Sequence, residues 1–212
     1  MAEFAPTLGD AAAAGRANAH FALARALQPP RTWDEDLPHL VAGALGDLPE
    51  PLPALGEEMA AQIRSLLPEL QPAEVAHAKL FIGPFEILAA PWACFYLEDE
   101  PRLMGPSSQY AAAAYAEAGL APSEDLKDAP DHVIHELEFM YFLAFQQATT
   151  GERAWYDRRA RFWREHLGRW LHRFADAVQQ AAVHDFYRTL AEGLKALSVI
   201  EERELGSTGR GA

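Results

Sequence analysis

The chain has one cysteine in 212 residues, Cys94. A single thiol allows no internal disulfide and no thiolate zinc site, as expected of a protein kept in a reducing compartment. No apolar run approaches the roughly 18 residues that cross a bilayer, so no membrane insertion is expected. The alanine-rich stretch Met1–Leu27 has no basic region followed by an uninterrupted apolar segment, because Arg16, Asn18, His20 and Arg25 interrupt it. It therefore reads as no secretory signal, and the chain is expected to be cytoplasmic. Basic residues are scarce. Eighteen Lys and Arg face 31 Asp and Glu, a net charge of −13 that disfavours nucleic acid and anionic membrane surfaces as partners.

Catalytic signatures are missing too. Ser107, Ser108, Ser123 and Ser198 lie in no nucleophile elbow, and no base adjoins Cys94. Gly83-Pro84 is a lone turn and not a phosphate-cradling glycine loop. Period-two alternation is confined to short pieces such as Lys79–Ile82.

What is present is helical periodicity, and the expected fold class is all-α, a multi-helix globular bundle. Asp10–Leu27 reads as a helix ended by Pro29-Pro30. Thr32 and Glu35 have capping-box spacing for a helix to about Leu45. Pro49, Pro51 and Pro53 punctuate a linker before a helix over Ala54–Leu67. Pro72 suits the first turn of the next, which runs towards Ile82 and stops at Gly83-Pro84. Pro106–Ala118 is closed by Gly119. Asp128 or Ala129 caps a helix with Pro130 in its first turn and Asp131 at its positive end, where a carboxylate gains about 0.3–1 kcal/mol. Its apolar positions cover more than one stripe, so it should be central. Helices follow around Trp155–His166, Leu167–Ala181 and Asp185–Glu204. The expected organisation is an N-terminal lobe 1–120, a connector 121–130, a C-terminal lobe 131–205 and a disordered tail 206–212.

Three constellations bear on function. The first is charge: acids dominate Glu98–Glu138, whereas Arg153, Arg158, Arg159, Arg161, Arg164, Arg169 and Arg173 follow. These blocks pair internally, or the acidic one receives a cationic ligand. The second is metal-like: Glu74-x-x-His77 is half of a di-iron carboxylate motif, and His132, His135 and Glu136 sit together on one helix. The second Glu-x-x-His is missing, so no metal is expected. A metal-dependent helical enzyme using these His and Glu residues is the alternative reading. The third is aromatic. Phe81 and Phe95 read as core, while Trp92, directly after Pro91, suits either the core or contact with a peptide. Beside it, Asp131 facing a groove would accept a charge-assisted hydrogen bond from a guanidinium, worth roughly 1.5–3 kcal/mol. These features favour a binder over a catalyst.

Several motifs in succession resemble the TorD/DmsD (NarJ-like) family of cytoplasmic molybdoenzyme maturation chaperones. They are Leu80-Phe81-Ile82-Gly83-Pro84, Ala90-Pro91-Trp92 leading to Tyr96-Leu97, Tyr115-x-x-x-Gly119-Leu120, Pro130-Asp131-His132-Val133, Glu136-Leu137-x-Phe139-Met140, His166-Leu167-x-x-Trp170 and Phe186-Tyr187. Together they span roughly Lys79–Leu194. The resemblance implies an all-helical, non-enzymatic chaperone without a cofactor. Its partners would be a molybdoenzyme catalytic subunit and that subunit's twin-arginine signal peptide, held from export until the molybdopterin is inserted. It would be a monomer or a domain-swapped homodimer. Peptide-binding positions carried over from the family are Leu80, Phe81, Pro91, Trp92, Tyr96, Pro130, Asp131 and His132; Glu136 joins them as a carboxylate near the aromatic groove. The chain departs from the family pattern at Phe85-Glu86 and Ala93-Cys94.

Overall fold

A computed structural model describes residues 11–83, 86–121 and 128–206. The central part of the connector 121–130, the expected disordered tail beyond Gly206, and Pro84 of the Gly83-Pro84 stop lie outside the described residues. The helices are α1 (Ala11–Leu27), α2 (Leu37–Gly46), α3 (Leu52–Leu66), α4 (Gln71–His77), α5 (Cys94–Leu97), α6 (Pro106–Glu117), α7 (Val133–Thr150), α8 (Arg153–Glu165), α9 (Leu171–Ala181) and α10 (Asp185–Leu205). No strand occurs among the described residues, and one antiparallel bridge pairs Trp92 with His132. The fold is all-α.

Packing follows composition. α1 is largely alanine, and Ala13, Ala17, Ala19, Ala22, Ala24 and Ala26 are all buried. Small side chains let its backbone lie close along α7, while α2 packs on α3 and α9 on α10. α7 buries Val133, Leu137, Met140 and Ala144 on one side and Phe139 and Leu143 on others, so it is central as its sequence implies. Trp163, Trp170, Phe174, Phe186 and Tyr187 are fully buried and fill the middle of a single core. Helices on either side of the 121–130 connector contribute to that core, and α3 packs directly on α10.

Two helix starts differ from their sequence signals. Thr32 does not cap α2: it closes a 3-10 turn, Pro30–Thr32, and its hydroxyl donates back to the Pro29 carbonyl at 2.8 Å. α2 begins at Leu37, whose N–H donates to Asp34 Oδ1 at 3.0 Å. The prolines at 29 and 30 impose the turn first, and the capping spacing is left unused. α7 begins at Val133, and its cap is His132, not Asp128 or Ala129. Pro130 and Asp131 therefore stand before the helix, with Asp131 one residue ahead of the cap and not in the first turn.

Gly83 ends the π-type turn Ala78–Ile82 that extends α4. Its φ is +52°, and a β-carbon there would lie 2.0 Å from the Glu86 carbonyl oxygen. Only glycine allows the chain to turn back at this point. The return is secured by the Ala89 N–H, which donates to the Leu80 carbonyl at 2.9 Å.

Candidate functional site

Pro91 and Trp92 are stitched to the mouth of α7 through the backbone. The Val133 N–H donates to the Pro91 carbonyl at 2.8 Å, and the Ala93 N–H donates to the Asp131 carbonyl at 3.0 Å. This junction forms one wall of a cavity of about 270 Å³. Phe81, His77 and Ile82 from α4 and its π-type extension form a second wall, Phe174 of α9 closes the floor, and Leu27 and Arg31 complete the rim. Asp128 stands on the same rim. Four of the residues expected from sequence, Phe81, Pro91, Trp92 and His132, thus meet in one hollow.

The hollow is mainly apolar and aromatic. The rings of Trp92 and His132 meet edge to face with centroids 5.6 Å apart, and Phe81 makes similar contact with His77 at 5.0 Å. The two histidines add no charge near neutral pH. Burial, reinforced by His135 and His77, pulls the His132 pKa down to about 3. Burial, with Arg31 nearby, outweighs a favourable hydrogen bond with the Leu27 backbone and lowers His77 to about 4. His132 Nδ1 accepts from the Ile134 N–H at 3.2 Å, so the neutral ring carries its proton on Nε2. The Trp92 indole N–H has no partner among the described residues. Arg31 and Asp128 form no ion pair among the described residues. The site therefore presents an apolar hollow with one charge of each sign on its rim, neither in an ion pair among the described residues.

Five of the expected residues do not face this hollow. The reading of Asp131 as an open carboxylate is corrected: it is 0 % exposed, Oδ2 accepts from the Cys94 N–H at 3.1 Å, and Oδ1 accepts from the Ser108 hydroxyl at 2.5 Å. Glu136 is likewise 0 % exposed, accepting from His166 Nε2 at 2.7 Å and from the Trp170 indole at 3.0 Å. Burial raises its pKa, with His166 opposing. Leu80 is 0 % exposed in the core. Pro130 is buried, its carbonyl accepting from the Tyr115 hydroxyl at 2.7 Å. Tyr96 is half-buried, stacks on Trp170 at 5.5 Å, and its carbonyl accepts from Arg173. These groups hold the site's surroundings and do not line it. Phe95 is a further correction. Read as core, it is 44 % exposed, with its ring 6.1 Å from Trp92, and it carries the aromatic surface outwards.

Sequence reasoning missed Arg31, His77, Asp128 and Phe174 as site residues. His77 had been noticed only as half of a metal motif, and Asp128 only as a helix cap. Arg31 and Phe174 carry no local signal, because they reach the hollow from elements distant in sequence. The metal alternative finds no support in the geometry. Glu136 is engaged by His166 and Trp170, and no group of three or more His, Cys, Asp or Glu able to hold an ion occurs among the described residues. No helix among the described residues is long and apolar enough to cross a membrane.

A family model described as the nitrate reductase delta subunit matches residues 46–176, more than half of the chain. The matched span carries His77, Phe81, Pro91, Trp92, Asp128, His132 and Phe174, and leaves out only the rim from Leu27 to Arg31. No individual curated protein matches the chain.

Proposed function

The chain belongs to the nitrate reductase delta subunit family, a family of molybdoenzyme maturation chaperones, and from that premise we propose that it is a cytoplasmic, non-enzymatic chaperone that holds the twin-arginine signal peptide of a molybdoenzyme catalytic subunit in the cavity at the mouth of α7. The observation that carries this reading is the meeting of an aromatic hollow with a rim carboxylate: Phe81, Trp92 and Phe174 form the apolar surface, and Asp128 stands exposed on the rim with no ion pair among the described residues. A leader of two guanidinium groups followed by apolar residues matches that pairing in charge and in polarity. Asp128, and not the buried Asp131, is the carboxylate that meets an arginine. Neutral His77 and His132 add no positive charge against the guanidinium, which leaves Arg31 as the one cation among the lining residues. Trp92 contributes its ring face and edge to the apolar surface.

The test is a calorimetric titration with a twin-arginine leader peptide and its twin-lysine counterpart. Tighter binding of the arginine peptide is expected, because a planar guanidinium makes two parallel hydrogen bonds to one carboxylate and an ammonium does not. Equal affinities would overturn guanidinium recognition.

A further inference from the structure

Three chain segments converge beneath the Trp92 wall, and two buried side chains join them. Ser108, 1 % exposed in the first turn of α6, donates its hydroxyl to Asp131 Oδ1 at 2.5 Å and accepts from the Met104 N–H at 3.0 Å. Asp131 accepts in turn from the Cys94 N–H at 3.1 Å. The chain from Met104 to Ser108, the loop that carries Trp92, and the approach to α7 are thus tied through one hydroxyl and one carboxyl. Met104 adds to the case: its φ is +62°, a left-handed conformation that a residue with a β-carbon adopts only where its surroundings hold it. The second tie on this segment, from the Ser107 N–H to Glu98 Oε1 at 2.8 Å, fixes the same turn from its other side.

We propose that Ser108 and Asp131 form a brace that positions the Trp92 wall of the cavity, so that both are positioning residues for leader binding and neither touches the leader. The inference rests on the leader-binding reading. Removing the Ser108 hydroxyl leaves the buried Asp131 Oδ1 without that partner and takes the acceptor from the Met104 N–H. The wall then relaxes, and the fraction of molecules with an assembled cavity falls, which weakens apparent affinity by that fraction. Asp131→Asn keeps the three segments joined: the amide oxygen accepts from the Cys94 N–H, and the amide nitrogen donates to Ser108 Oγ, which still accepts from Met104 and gives up only the acceptor of its own proton. An arginine ligand bound directly by Asp131 would not tolerate that exchange of charge for amide.

The experiment combines leader titrations with amide hydrogen exchange at Cys94 and Met104 in the peptide-free protein. Ser108→Ala is expected to weaken the twin-arginine leader about ten-fold, with faster exchange at both amides and an unchanged helical circular dichroism spectrum. Asp131→Asn is expected to stay within about three-fold of the unmodified protein and to keep the preference for arginine over lysine. Wild-type affinity in Ser108→Ala overturns the brace. So does an Asp131→Asn protein that folds but loses the arginine preference, since that places Asp131 on the ligand. If the unmodified protein binds neither peptide, the leader reading fails and the exchange measurement alone decides the brace: accelerated exchange in Ser108→Ala upholds it, and unchanged exchange overturns it.

Discussion

Two polar regions of this molecule use the same kinds of side chain in opposite ways. Between α1, α8 and α10, Arg159 donates to Glu201 at 2.8 Å and to Glu204 at 3.3 Å, His20 lies 3.1 Å from Glu201, and Arg16 reaches Glu204 at 2.7 Å. Burial alone would raise the Glu201 pKa, yet Arg159 and His20 outweigh it and hold the carboxyl at about 2. Every charge there has an opposite charge to answer it. At the mouth of α7 the histidines are neutral, and Arg31 and Asp128 form no ion pair among the described residues. Charges that are paired inside the fold hold helices in register, whereas charges left open around an apolar hollow are available to a ligand. On the proposed reading, the difference separates structural from recognition chemistry without reference to residue type.

The largest test of that contrast is to break the paired region. Arg159→Ala strands Glu201 in the interior and should lower stability by about 3–5 kcal/mol, read as a fall in the urea midpoint at unchanged slope. Leader affinity per folded molecule should not move, and a parallel loss of affinity would show the two regions to be one system. The converse substitution is Trp92→Ala. It should weaken the leader by about 2 kcal/mol with a smaller change in the urea midpoint, and a protein that binds as before removes the cavity from the argument. Asp128→Asn lies on the exposed rim and should cost about 1 kcal/mol of leader affinity with no measurable change in stability. An unchanged arginine-to-lysine preference in this variant would leave guanidinium recognition without its carboxylate.

The smallest effect expected at neutral pH is one of acidity. His132 and His77 titrate near 3 and 4 in the fold and at the ordinary 6.5 when unfolded. Below about 6.5 the unfolded chain binds more protons, so stability should fall as pH drops from there towards 3, and it should be flat on this account above 6.5. Glu201 adds to the loss as pH falls from its ordinary 4.5 through about 2. Thermal melts across this range check the sign. Rising stability between pH 6 and pH 4 would show that one of these histidines is charged in the fold.

The helix pattern was readable because proline and glycine mark ends whatever surrounds them. Gly119 and Gly151 sit at φ +81° and +68° where helices stop, and Pro72 and Pro106 sit in first turns where helices begin, while Pro53, read as linker, lies inside the first turn of α3. Where a sequence offered two local solutions, the reading failed. Thr32 and Glu35 had capping spacing, but the adjacent prolines turned the chain first. The site was half readable for a related reason. Phe81, Pro91, Trp92 and His132 lie in two short segments whose motifs are local, and both segments reach the hollow. Asp131 also belongs to such a motif, yet its neighbours Ser108 and Cys94 come from elsewhere in the chain, and they draw the carboxyl inwards.

Sequence alone determined that the protein is all-α, where most of its helices begin and end, and which family it resembles, because periodicity, turn chemistry and motif order are properties of neighbouring residues. Tertiary structure alone decided which carboxyl lies open on the rim of the hollow. Whether Asp128 or Asp131 is open depends on what stands opposite each, and a buried carboxyl must find donors from distant segments while a rim carboxyl need not.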